Sequence, residues 1–165
     1  MDMTKFRKVD GTLIPDVAEY IMDYIDSYDG HVELYIGTDS QSTRRKQVTN
    51  YATVICLHKT DSAGIGKGAH LIYNREKKYK IKDLFNRLWW EVEFSMQVAN
   101  YLKEKNIYLS EKVISVHIDV SPDAKNKSNS VYKAAIGYVE SMGYECKTKP
   151  DSPVASYAAD MVCRM

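Results

Sequence analysis

At 165 residues and 44% hydrophobic content, the chain supports one domain with a substantial core and leaves little room for two. A formal charge of +1 and a pI near 7.7 exclude a global basic field, so an acidic polymer would have to be held by local patches. Cys56, Cys146 and Cys163 form no C-x-x-C pair and His31, His58, His70 and His117 show no zinc spacing, which reads as reduced thiols in a cytoplasmic protein; no apolar run approaches membrane length.

Residues 1–30 read as a polar lead-in and a short helix. Pro15 suits a first helical turn, and Val17, Tyr20, Ile21, Tyr24 and Ile25 recur at helical spacing before Asp29-Gly30. From His31 to Gln41, Val32, Leu34 and Ile36 alternate with Glu33, Tyr35 and Gly37, the period of a strand with two different faces, and Asp39 continues the second face. A carboxylate at the end of a core strand is expensive to desolvate alone. Two readings of Asp39 stay open: a turn closed by Thr38 to Gln41, or a metal ligand. Gln41 to Lys46 is a basic turn containing Arg44 and Arg45. Val48 to Leu57 predicts a second strand with Val48, Ala52, Val54 and Cys56 on one face. Gly64, Gly66 and Gly68 fall in a mobile hairpin connection, Lys59 to Gly68, that lacks the ending of a phosphate loop; Ala69 to Asn74 is the third strand. The charges from Arg75 to Lys82 surround Tyr79 and Ile81, and are either a solvated edge or a phosphate-contacting rim.

Asp83 to Lys105 is the longest helical pattern, with Leu84, Phe85, Leu88, Val92, Met96, Ala99 and Leu102 in one stripe. With Leu84 at zero the stripe centres near about 60°, Glu91 falls at about 340° and Glu93 at about 180°. Glu91 therefore stands at the margin of the buried face and Glu93 points away. Trp89 and Trp90 read as packing or interface anchors. In the strand Val113 to Val120, Asp119 again ends an alternating pattern, with His117 on its face as a hydrogen-bonded strand residue. A turn containing Asp123, Lys125 and Lys127 leads to a helix from Asn129 to Met142, then a last strand from Tyr144 to Lys149. Ser152-Pro153 then opens a final helix to Cys163, which puts Ser156 and Asp160 on one face.

Three antiparallel strands followed by alternating helices and strands predict an α/β fold, a mixed sheet flanked by helices. Pairing the Asp39 and Asp119 strands in parallel brings both carboxylates to one end. Converging carboxylates repel and take up protons unless divalent cations neutralise them, and hard oxygen donors favour Mg²⁺ or Mn²⁺ over zinc.

Ile36-Gly-Thr-Asp-Ser-Gln41, His117-Ile-Asp119, Lys125-Asn-Lys127, Glu140-Ser-Met-Gly143 and Lys149-Pro-Asp-Ser-Pro-Val-Ala-Ser156 occur in the order that resembles the YkuK family of ribonuclease H-like nucleases, from about residue 31 onward. The resemblance implies a ribonuclease H-like domain over 31–165, preceded by the 1–30 extension with its extra helix, and a five-stranded sheet of order 3-2-1-4-5. It also implies a two-metal phosphodiesterase site in which Asp39, Glu91, Asp119 and Asp160 act as catalytic ligands of two Mg²⁺ or Mn²⁺ ions. Asp151 and Asp123 are alternatives to Asp160. Arg44, Arg45, Lys125 and Lys127 are the expected nucleic-acid contacts, RNA or RNA–DNA hybrid is the favoured substrate, and a C₂ homodimer is the form expected of any oligomer. The rival reading is a non-catalytic nucleic-acid-binding or scaffold protein on the same fold; a nucleotide phosphatase ranks last for want of a phosphate loop.

Overall fold

The structure is a computed structural model and describes residues 1–42, 47–107 and 114–165. Its elements are β1 (Arg7–Lys8), α1 (Val17–Asp26), β2 (His31–Ser42), β3 (Val48–Thr60), β4 (Gly66–Tyr79), α2 (Leu84–Glu104), β5 (Ser115–His117), α3 (Asn129–Ser141), β6 (Glu145–Lys147) and a π-helical segment, Val154–Ala159, that runs into α4 (Asp160–Arg164).

The six strands lie in the order β1-β4-β3-β2-β5-β6. The five expected strands keep the order 3-2-1-4-5, and the sixth, β1, is an added edge strand paired with Tyr73 and Ile72. β2, β3 and β4 are antiparallel, whereas β5 joins β2 and β6 in parallel, so the sheet is mixed.

β3 and β4 reach further into their connection than the glycines suggest, leaving only residues 61–65 between them. The Asp61 carboxylate accepts from the backbone N–H of Ala63 and of Ile65, both at 2.9 Å, and Gly64 takes the left-handed φ of 78° that the turn requires. β4 also continues through the charged stretch to Tyr79, because its ladder to β3 is a matter of backbone bonds that surface side chains do not oppose.

Alternation along β2 assigns its two faces to two cores. Val32, Leu34 and Ile36 enter the larger one, together with Val17 and Ile21 of α1, Val92, Met96 and Leu102 of α2, and Val131, Ala135 and Val139 of α3. Phe6 and Ile14 are buried in the same cluster, so the N-terminal residues share this core. The opposite face of the sheet carries a smaller cluster of Ala52, Val54, Cys56 and Tyr73 under Val154, Ala159 and Val162. Gly37 lets that C-terminal segment lie against β2, since a Cβ there would come within 2.6 Å of the Ala155 nitrogen.

The helix ends follow local chemistry. Asp16, one residue after Pro15, caps α1 by accepting from Ala18 and Glu19 N–H, and Asp83 caps α2 by accepting from Asn86 N–H. Ser152 is buried and hydrogen-bonds the Ser156 hydroxyl at 3.3 Å instead of capping a backbone N–H. The three cysteines are free thiols. Among the described residues no helix is long and apolar enough to cross a membrane.

Candidate acidic site

The carboxyl ends of the two central strands deliver the first pair of acids. β2 and β5 run in parallel with Gly37 opposite His117, so Asp39 and Asp119, each two residues further on, lie at the same end of the sheet. Asp39 lies opposite Ala52 on the face covered by the C-terminal helix, and its carbonyl accepts from the Cys163 thiol at 3.3 Å. Burial pushes the Asp39 carboxyl up to about 6. A hydrogen bond from the Ser40 N–H works against this, the charges of Asp119 and Asp160 add to it, and Arg87 opposes it.

Glu91 reaches the same region from α2. It is only 3% exposed. Burial first, and the Asp39 charge second, hold its carboxyl well above the ordinary range, while a 2.5 Å hydrogen bond from the Ser40 hydroxyl and the Arg87 charge favour the ionised form. Because Ser40 alternates with Asp39, neighbouring residues of one strand serve acids on the two sides of the sheet.

Asp119 accepts from the Ser156 hydroxyl at 2.5 Å and pairs with the Lys149 ammonium at 3.0 Å. Asp160, at the start of α4, accepts from Gln41 Nε2 at 3.2 Å and forms an ion pair with Arg164 at 2.8 Å. Of the alternatives to Asp160, Asp123 accepts from the Lys125 N–H within its own turn and Asp151 is exposed; neither is among the charges that chiefly act on Asp39. Lys125 and Lys127 are exposed in the turn after Asp119, and Arg44 and Arg45 lie outside the described residues. His117 stacks on Tyr35 at 5.0 Å and accepts from the Val154 N–H; burial pushes it down to about 4, so it is a neutral packing residue at ordinary pH.

Sequence reasoning did not find Ser40, Lys149 or Arg87. Arg87 had a signal, its i, i+4 spacing to Glu91 on α2. Its Nε is buried without a hydrogen-bond partner, and its charge acts on both Asp39 and Glu91.

The donors are hard carboxylate oxygens whose mutual repulsion a divalent cation would relieve, and two side-chain cations, Lys149 and Arg164, already stand on two of them. The donor chemistry fits Mg²⁺ or Mn²⁺. Among the described residues, no three of His, Cys, Asp or Glu form a group that could hold an ion as the side chains stand.

A parallel central pair, an antiparallel hairpin and acids at the strand ends define the ribonuclease H-like class, and the chain belongs to it: the family described as "Ribonuclease H-like" matches residues 16–164. Within that class it is a YkuK-type protein, 30% identical over 139 residues to the "Uncharacterized protein YkuK" of Bacillus subtilis (strain 168), with 76% of each chain covered. No solved structure matches the chain at a significant level.

Proposed function

We propose that the chain is a metal-dependent nuclease that hydrolyses phosphodiester bonds of nucleic acid, RNA or an RNA–DNA hybrid by preference, with Asp39, Glu91, Asp119 and Asp160 holding two Mg²⁺ or Mn²⁺ ions. The observation that carries this reading is the placing of the four acids around one end of the central strands: the β2–β5 register sets Asp39 beside Asp119, and the residues after Asp39, Ser40 and Gln41, bond Glu91 and Asp160, with the charges of these acids raising Asp39 and Glu91. Bound divalent cations would supply an activated water and neutralise the oxygen that departs. The chain's own groups orient the ligands: Ser40 fixes Glu91, Ser156 and Lys149 fix Asp119, and Gln41 and Arg164 fix Asp160. Arg87 supplies positive charge beside Asp39 and Glu91. Lys125 and Lys127, exposed in the turn after Asp119, contact phosphates.

Calorimetric titration of Mn²⁺ into the wild type and Asp39→Asn, followed by incubation with labelled single strands, duplexes and hybrids, tests the reading. Uptake and cleavage by the wild type alone support it, and normal cleavage by Asp39→Asn sinks it. One observation favours a non-catalytic nucleic-acid-binding protein instead: Asp119 and Asp160 are already ion-paired to Lys149 and Arg164. That reading expects binding that persists in chelator and no metal-dependent cleavage.

A further inference from the structure

We infer that the end of β4 is a track for an unpaired nucleic-acid strand, in which Arg75 and Lys77 contact consecutive phosphates and Tyr79 stacks a base, leading to Asp39. This deepens the nuclease reading and rests on it for the destination of the track. Strand register places the residues. Asp39 pairs with Ala52, which pairs with Arg75, and Gln41 pairs with Asn50, which pairs with Lys77. Directly paired residues point to one side of a sheet, so Arg75, Lys77 and Tyr79 share the Asp39 face. Two strand spacings put Arg75 about 10 Å from Asp39, and Lys77 and Tyr79 follow at steps of about 7 Å, a repeat that an extended strand can match.

Arg75, Lys77 and Tyr79 are exposed, and Arg75 Nη2 donates to the Val162 carbonyl of α4 at 2.6 Å, which leaves its other N–H groups for a phosphate. β1 covers only Ile72 and Tyr73, so the outer edge of β4 from Arg75 to Tyr79 is not paired by it. A cleft of about 260 Å³ lies between this stretch and the C-terminal helix, lined by Asn50, Ala52, Arg75, Lys77, Cys163 and Met165 among others. Cys163 is the residue whose thiol bonds the Asp39 carbonyl, so the cleft abuts the acidic site. Tyr79 is 77% exposed, and on the same face of β4 it follows Lys77 by one strand repeat. Nearby acids are engaged elsewhere: Glu76 accepts from the Asp2 N–H and Asp83 caps α2. Exposed cations at strand spacing with an exposed ring select a single strand, whose phosphates and base faces are both accessible, over a duplex, whose bases are stacked inside.

The experiment is fluorescence anisotropy of labelled oligouridylate and oligothymidylate, and of the matching duplexes, with the full chain in chelator. Wild type is compared with Lys77→Ala, Tyr79→Ala, Tyr79→Phe and, as a remote exposed cation on α3, Lys133→Ala. Lys77→Ala is expected to weaken single-strand binding and lower the slope of log affinity against log salt by about 0.7. Tyr79→Ala is expected to weaken it about tenfold, with Tyr79→Phe retaining the wild-type value. Lys133→Ala leaves affinity unchanged. Lys77→Ala and Tyr79→Ala behaving like Lys133→Ala would overturn the track, as would an equal loss on duplexes or equal competition by polyglutamate. Because chelator removes turnover, the two readings fail separately. A chain that binds through Lys77 and Tyr79 but never cleaves sinks only the nuclease reading, and one that cleaves with both residues indifferent sinks only the track.

Discussion

Replacing Asp39 with Asn removes a charge that the fold resists. Burial, reinforced by Asp119 and Asp160, lifts its carboxyl from the usual 3.8 to about 6. At about 1.4 kcal/mol per pKa unit the rise corresponds to about 3 kcal/mol against the ionised folded state, and partial exposure of the carboxylate brings this to about 2 kcal/mol. A carboxyl with a raised native pKa holds more protons folded than unfolded between the two values. The penalty is therefore absent below about pH 4 and is fully present once pH has risen past about 6. Asp39→Asn retains an oxygen for the Ser40 N–H, so in chelator at about pH 7.5 the variant is expected to melt about 4–8 °C above the wild type. At about pH 4 the two should melt together. Scanning calorimetry across that range measures the difference, and a second series with Mn²⁺ should stabilise the wild type and leave the variant where it was. A variant no more stable than the wild type at neutral pH, or one stabilised equally at both ends of the range, would refute the argument that repulsion and burial strain this end of β2.

Glu91→Gln keeps an oxygen for the Ser40 hydroxyl and removes the more deeply buried charge, so stability in chelator at neutral pH should hold or rise while Mn²⁺-dependent cleavage falls about a hundredfold or more; paired melts and gel assays read both. Gly37→Ala drives a methyl within 2.6 Å of the Ala155 nitrogen and 2.9 Å of its Cα, and neither backbone atom can turn aside. A loss of about 2–3 kcal/mol in urea unfolding is expected, with weaker Mn²⁺ uptake because the same segment carries Ser156 and Asp160. Ser156→Ala removes one of the two groups holding Asp119, and should lower stability by about 1–2 kcal/mol in the same assay, with Lys149 retained as partner.

Strand order was legible because the alternating stretches are apolar where they are buried, as in Val32 to Ile36. β1 was not: Arg7 and Lys8 carry no pattern, and they join the sheet through backbone bonds alone. The far end of β4 escaped for the same reason, since charged side chains on an open ladder leave no hydrophobic period. The strand at Asp119 is shorter than its apolar run. Val113 lies outside the described residues; among those described the ladder spans Ser115 to His117, and the residues beyond serve the loops and the site. Asp39 and Asp119 could be picked out as candidates from strand ends and Glu91 from helical phase, whereas Asp160 was chosen over Asp151 and Asp123 on the family resemblance. Their partners could not, because Ser40 meets Glu91 across 51 positions and Gln41 meets Asp160 across 119, contacts that only the folded chain creates. The π-helical turn before Asp160 has no composition signature either, so the final segment reads as an ordinary helix until its backbone is seen.

The arrangement has a consequence for synthesis. Asp39 and the β4 edge emerge from a translating ribosome before Ser156, which holds Asp119, and before Asp160. Until their segment emerges and settles against Gly37, a nascent chain carries its strand-end carboxylates without the partners that hold them. A chain of this design can display its basic surface during translation while its acidic centre is still unassembled, and the order of synthesis alone separates the two.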